Sequence, residues 1–269
     1  MDFANILVST DLGEAAPDRI RLAADLARRF GSHLTGAAAR AVPVPLLVRD
    51  VYDAVAQEDR NITLIHQLLD RAHALFERSA GKEIATDWKE ALTDPTTHLV
   101  GQARAADLVV IGQRKPGNED PGALGVAPGP LLMQVGRPVL MAPSRLDQLK
   151  GNCILVAWKD GVEARRAVLA ALPFLRSAEQ VLVASIGAET AGDADVVAGH
   201  LARHGAQVAS RTVDPVDSEG GAIIDLAARE GADLIVMGAY GRSRLKEWLF
   251  GGVTRELLDR APVCCLMSH

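Results

Sequence analysis

One pattern is written twice along the chain, and this repeat restricts the available folds more than any other feature. "NILVSTDLGEAA" (5–16) and "CILVAWKDGVEA" (153–164) each run from a short apolar stretch through a polar, glycine-containing turn into helix-compatible residues. "AADLVVIGQRK" (105–115) matches "GADLIVMGAYG" (231–241), and the closing "GRPVLMAPS" matches "RAPVCCLMSH". A repeat this long is a duplicated domain, since solenoid units run only about 20–50 residues.

Within each half, strand and helix signals alternate. The spacing predicts strands near 4–9, 32–38, 84–90, 107–111 and 138–142, then near 153–157, 180–186, 207–213, 233–237 and 263–267. The runs at 107–111 and 233–237 read as apolar strands, the mark of parallel strands covered on both faces. Between strands lie stripes such as Ile65, Leu68, Leu69, Ala72, Leu75 and Phe76, at helical spacing. The alternation predicts an α/β protein of two tandem open parallel-sheet domains with right-handed crossovers. Their expected extents are 1–147 and 148–269, with a polar link near 144–152. Extra residues in the first half fall at 42–61, ahead of a helix expected over 62–80. Pro43 and Pro45 argue against regular helix in that insertion. Leu46, Leu47, Val48 and Tyr52 are apolar for a loop. The insertion reads either as a brace packed on the neighbouring domain or as a binding lid.

The 269 residues, 48% of them hydrophobic, are enough for about two domains. A net charge of −5 argues against a general nucleic-acid or membrane-surface binder. No apolar run reaches the ~18 residues of a membrane span. The opening "MDFANILVSTDL" lacks the basic start and long apolar core of a secretory leader, so a cytoplasmic protein is expected. Cys153, Cys264 and Cys265 read as buried free thiols of a reducing compartment. The adjacent pair should point to opposite faces of a strand. His66/His73 and His200/His204 have helical spacing but no third ligand nearby, so structural roles and no metal site are expected. His269 is terminal and expected to fray. No G-x-S-x-G elbow surrounds Ser9, Ser185 or Ser243, and no P-loop is present. No catalytic residue is therefore assigned, and slow nucleotide hydrolysis is the most that positioning alone would support.

The sharpest functional signal is "ADLIVMGAYGRSRLKEWLFGGVTRELL" (232–258). Gly238 and Gly241 follow directly on a strand, and Gly251–Gly252 open the next helix. In open α/β sheets, ligands sit beyond the carboxyl ends of the strands where the strand order reverses. Glycine there permits positive φ and close approach of backbone to a ligand. A helix N-terminus favours an anion, and Arg242, Arg244 and Lys246 add positive charge. Taken together these features read as a cradle for nucleotide phosphates. Taken singly they are tight turns.

The pattern resembles the universal stress protein family. Its motif Gly-x2-Gly-x9-Gly matches Gly238, Gly241 and Gly251, and the flanking "VMG" and "VTRELLDRAPVCCL" follow the family pattern. The likeness runs over essentially the whole chain, strong in the second half and degenerate in the first. It implies two domains of the adenine-nucleotide α-hydrolase-like fold, each with five strands ordered 3-2-1-4-5. It also implies that the last strands, "PVLMA" and "VCCLM", pair within one chain as a pseudo-dimer, with homodimerisation as a further level. The implied cofactor is ATP or a related adenine nucleotide, with Mg2+ as an optional companion. Carried over residue by residue, its contacts are Ala157, Lys159, Ile186, Gly238, Gly241, Arg242, Ser243, Gly251, Gly252 and Val253. Backbone at Ile186 would meet the adenine. The N–H groups of Gly241, Gly252 and Val253 would meet phosphates, with Arg242 nearby.

Departures from the family pattern are as specific as the matches. Gly252 stands where many members carry Ser or Thr. The family's acid after the first strand falls on Asp11 in the first half but on Lys159, beside the bulky Trp158, in the second. In the first half Gly112 aligns, but Lys115 replaces the next glycine, and Glu119 and Asp120 would oppose an anion. Lys159 is either a surface lysine beside Asp160 or a direct phosphate contact in place of a metal-bridging acid. Two functions follow. One is a stress-response regulatory module that binds nucleotide in the C-terminal domain and signals to a protein partner. The other is an interaction scaffold that has lost its ligand.

Overall fold

The computed structural model describes residues 3–43, 51–113, 122–186, 192–214, 217–241 and 252–269. The first half contains β1 (Asn5–Ser9), α1 (Ala16–Phe30), β2 (His33–Ala39), α2 (Val51–Ala80), β3 (Thr86–Ala91), α3 (Pro95–Gln102), β4 (Leu108–Gly112), α4 (Pro128–Gln134) and β5 (Val139–Ala142). The second contains β6 (Cys153–Trp158), α5 (Val162–Leu175), β7 (Gln180–Ile186), α6 (Asp193–Arg203), β8 (Val208–Val213), α7 (Glu219–Glu230), β9 (Leu234–Gly238), α8 (Val253–Arg260) and β10 (Cys264–Ser268).

All ten strands form one sheet, ordered β3-β2-β1-β4-β5-β10-β9-β6-β7-β8. Each half therefore has the order 3-2-1-4-5 that the family resemblance implied. Neighbours within a half are parallel. The seam is antiparallel, with Val139 opposite Met267, Leu140 opposite Leu266 and Met141 opposite Cys265. An antiparallel seam reverses the second half, so the carboxyl ends of the two sets of strands face opposite edges of the sheet.

Local chemistry fixes where the elements begin and end. α1 and α7 stop at Gly31 (φ 65) and Gly231 (φ 67), whose N–H groups return to the last carbonyls of each helix, the left-handed cap that glycine adopts most easily. Asp94 caps α3 by accepting the Thr97 N–H, and Ser218 caps α7 by accepting the Gly221 N–H. The fourth strands start one residue later than the apolar runs suggest, because Asp107 and Asp233 serve as anchors. Asp107 accepts the N–H groups of Ala4 and Asn5 at 2.8 and 2.9 Å, and Asp233 that of Asn152 at 3.0 Å. Each aspartate ties the entry of the neighbouring first strand to the fourth.

Alternation along the central strands divides the core between the sheet's two faces. Ile6, Val8 and Cys264 join one layer, Leu7 and Cys265 the other, as the adjacent cysteines led us to expect. Burial pushes the Cys264 thiol up to about 12, with Asp233 adding to it. Burial also raises the Cys265 and Cys153 thiols. The two halves share the first layer through an aromatic cluster that the sequence did not announce. Phe3, Phe30 and Phe174 meet at ring separations of 5.2 to 5.5 Å. Arg29 lies over Phe30 and Phe174 at 5.4 and 5.9 Å. It also donates to the Lys150 carbonyl at 2.7 Å and to Ser177 Oγ at 2.6 Å.

Two expectations change. α2 begins at Val51, not near 62. Pro43 and Pro45 precede it, and "DAVAQED" (53–59) is rich in residues with good helix propensity. Of the proposed brace or lid, residues 44–50 lie outside the described residues. His269 does not fray. Its Nδ1 lies 3.0 Å from the Ala239 carbonyl, and its own carbonyl accepts from Arg166 at 2.9 Å. Among the described residues, no helix is long and apolar enough to cross a membrane.

Phe174→Ala is expected to destabilise the chain by about 3–5 kcal/mol, read from urea unfolding, because it empties a cluster shared by both halves. At pH 8 a thiol reagent should modify Cys153 first. Cys264 and Cys265 should react only after denaturation, which mass spectrometry of the labelled chain would check.

Candidate functional site

A cavity of about 320 Å³ opens beyond the carboxyl ends of β6 and β9, where the strand order of the second half reverses. Its inner wall is apolar, built from Ala157, Ile186, Met237 and Ile223. Its lining also carries Lys159, Asp160, Glu163 and Glu219, together with Gly241, Val253 and Thr254.

Of the ten residues expected to contact a nucleotide, Ala157, Lys159, Ile186, Gly238, Gly241 and Val253 line this cavity. Gly252 is the N-cap of α8 and makes no side-chain cap, consistent with a helix start whose N–H groups suit an anion. Arg242, Ser243 and Gly251, with Arg244 and Lys246, lie outside the described residues.

The glycines divide the work differently from the expectation. A Cβ on Gly238 would lie 2.6 Å from the Ala164 nitrogen and 2.8 Å from the Glu163 carbonyl carbon. Gly238 is thus demanded by the packing of α5 against β9. Among the described residues, the nearest neighbour a Cβ on Gly241 would meet is Glu163 Oε2 at 4.0 Å, and the Gly241 φ is not left-handed. The left-handed residue of the turn is Tyr240, with φ 53. Its N–H donates to Thr254 Oγ1 at 3.3 Å. Its hydroxyl rests against Gly129 of α4, 2.9 Å from where a Cβ would sit. The hydroxyl absent at Gly252 therefore has a near relative at Thr254, which holds the Tyr240 N–H.

Lys159 is not paired with Asp160. Its Nζ lies 3.3 and 3.4 Å from the Glu219 carboxylate across the cavity mouth, while Asp160 accepts both Nη2 and Nε of Arg165. Sequence reasoning missed Glu163, Glu219, Ile223, Tyr240 and Thr254. The Glu163 signal was present, as Ala15 occupies its place in the first repeat. Glu219 and Ile223 come from a helix with no motif.

The equivalent crevice of the first half is filled by its own side chain. Arg19, 4% exposed, donates from Nε to the Ser9 carbonyl at 2.9 Å and from Nη2 to Asp11 Oδ2 at 2.7 Å. The other Asp11 oxygen accepts the Gly13 N–H at 2.8 Å. The guanidinium lies against Gly112, where a Cβ would come within 2.3 Å of Nη1. Asp11, placed by the resemblance near a ribose and metal, is instead engaged by Arg19 and Gly13. In the second repeat the Arg19 position is Ala167, fully buried, and backbone of α5 lies against Gly238 where the Arg19 guanidinium lies against Gly112. Lys115, Glu119 and Asp120 lie outside the described residues. No group of three or more His, Cys, Asp or Glu that could hold a metal occurs among the described residues. His73 stacks on Trp88 at 4.8 Å, and His200 meets His204 edge-on at 4.7 Å.

The fold and cavity define a duplicated, doubly wound α/β protein joined through its last strands. Residues 163–269 match the Universal stress protein family. A universal stress protein from Archaeoglobus fulgidus DSM 4304 superposes with a TM-score of 0.74 at 17% identity, covering 97% of this chain and 94% of that one. A functionally unknown protein from Pseudomonas aeruginosa PAO1 superposes at 0.54 with 19% identity, covering 98% and 92%. No curated protein sequence matches the chain. The family match thus covers residues 163–269, and the whole chain has the fold seen in tandem arrangement in these structures, the first half supported by structure alone.

Gly238→Ala should cost about 1–3 kcal/mol through overpacking. Gly241→Ala should stay within about 0.5 kcal/mol, as for surface changes that strain nothing. Thermal and urea unfolding of the two variants would separate these roles.

Proposed function

We propose that the chain is a cytoplasmic stress-response module binding one adenine nucleotide, ATP or a relative, in the cavity of the domain spanning 148–269. Residues 1–147 form a degenerate partner domain that takes no nucleotide. The observation carrying this reading is the contrast at the two switch points: in the first the buried Arg19 guanidinium is bonded to Ser9 and Asp11, whereas in the second a cavity opens and the matching residue is Ala167. The apolar wall of Ala157, Ile186, Ile223 and Met237 suits a flat heteroaromatic ring. Gly241 and the start of α8 stand where phosphates would find N–H donors, and Lys159 can turn to them from Glu219. Glu163 works against a bare polyphosphate, so Arg242 and Arg244, or a divalent ion, would have to balance it. Three unpaired thiols accord with a reducing cytoplasm. Regulation would follow if nucleotide changes the surface around residues 241–253 that a protein partner reads.

Calorimetry with ATP tests this directly. One equivalent per chain is expected. Gly241→Ala should weaken binding at least about tenfold through obstruction of the approaching phosphate, with unchanged stability. Binding that survives chelation of magnesium would support Lys159 as a phosphate contact. Two equivalents per chain would overturn the assignment to one domain. No uptake at millimolar ATP would favour the ligand-free scaffold.

A further inference from the structure

A second groove lies on the other side of Trp158, between α5 and α6, with a volume of about 390 Å³. Its walls are Trp158, Val168, Leu169, Val196 and Val197. Leu169 is 68% exposed and Val196 74%, which is unusual for residues facing each other across a concave surface. The comparison between repeats makes the opening specific. In the first half α1 packs directly along the 30-residue α2. There the Leu169 position is Arg21, paired with Asp18. In the second half α6 has 11 residues, and the apolar flank of α5 faces the groove.

The rim is basic. Arg165, His200 and Arg203 line the groove, and no carboxylate does so among the described residues. Arg165 is already held by Asp160. Arg203 is exposed and has no ion-pair partner among the described residues. On the strand beneath, Ser185 lies opposite Trp158 in the register, and alternation from Val183, a member of the same core layer as Trp158, puts it on the same face. Its hydroxyl is fully buried and unpartnered among the described residues. A few exposed apolar residues are too little surface for a stable protein interface, which needs about 1,000 Å² or more. The volume instead falls in the range of small-molecule sites.

We infer that the α5/α6 groove binds a small amphipathic carboxylate, an acid carrying an apolar chain or ring. The apolar part lies along Leu169, Val196 and Val197, and the carboxylate meets Arg203, whose planar fork suits it. This site is separate from the switch-point cavity and does not depend on nucleotide binding.

Dodecanoate serves as the probe, titrated into the full-length chain below its micellar concentration and followed by calorimetry. One saturable equivalent per chain is expected, with dodecylammonium binding much more weakly. Arg203→Ala should weaken dodecanoate about tenfold or more, through loss of charge-assisted hydrogen bonds. Leu169→Asp should do the same by placing a charge on the apolar wall. Both positions are exposed, and an unchanged urea midpoint verifies the fold of each variant. Neither residue touches the other cavity, so dodecanoate entering that cavity instead would bind both variants as it binds the parent. That result, the absence of saturable uptake by the parent, or equal binding of dodecylammonium would overturn the proposal.

Discussion

The structure depends on the antiparallel pairing of β5 with β10. Each strand would otherwise be the exposed edge of a five-stranded sheet, with unpaired backbone groups and apolar faces open to association. Leu140 and Leu266 meet across the seam and are fully buried, so it is part of the core. Because it is antiparallel, the two switch points open at opposite edges. They are nevertheless tied together, since Tyr240 from one half packs against α4 of the other. At the seam's flank, Gln113 donates to the Ala261 carbonyl at 2.9 Å, another bond between halves. Duplication has produced one continuous sheet with two independently evolvable crevices.

That independence is visible in a few side chains. Each crevice has an aspartate anchoring its first strand and a glycine ending its fourth, but α5 backbone packs against Gly238 whereas the Arg19 side chain packs against Gly112. Arg19 turns the first crevice into a closed, hydrogen-bonded plug. At the matching place in the second repeat stands Ala167, and a cavity opens at that switch point. The same divergence recurs two residues further on, where Arg21 and α2 cover one flank and Leu169 and a short α6 leave the other bare. The first difference is an arginine of α1 matched by an alanine of α5, and the second combines Leu169 in place of Arg21 with a shorter neighbouring helix.

The fold was legible because its signals are local and periodic. Every strand lies within about two residues of where alternation placed it, and the seam was implied by the family pattern of the two closing strands. The start of α2 was misplaced because prolines at 43 and 45 were allowed to govern residues well beyond their steric reach, which extends chiefly to the preceding residue. The site was legible in its backbone part and obscure in its side-chain part. Gly238 and Gly241 stand out in the sequence, but which one is sterically required depends on how closely α5 approaches β9, a tertiary distance. The left-handed turn residue proved to be Tyr240, a conformation that a tyrosine adopts rarely. Its bonds to Thr254 and its contact with α4 explain the choice, and neither can be read from spacing. Glu219 reaches Lys159 across 60 residues of sequence, so no local pattern could have revealed that Lys159 had a partner other than Asp160.

The two cations at the switch points show how exposure decides what a charged side chain can do. Arg19 is 4% exposed and gives hydrogen bonds to a carbonyl and a carboxylate. Withdrawing it would leave acceptors unsatisfied in a buried place, which costs several times what an exposed pair is worth. Lys159 is 74% exposed and Glu219 39%. A pair of that kind contributes at most about 1 kcal/mol, since water screens it and the long side chain loses entropy in holding one geometry. A phosphate carrying more charge than one carboxylate, presented beside the start of α8, competes for Lys159 at little cost. The chain thus holds a cation at both switch points, fixed in the half whose crevice is filled and exchangeable in the half whose crevice is open.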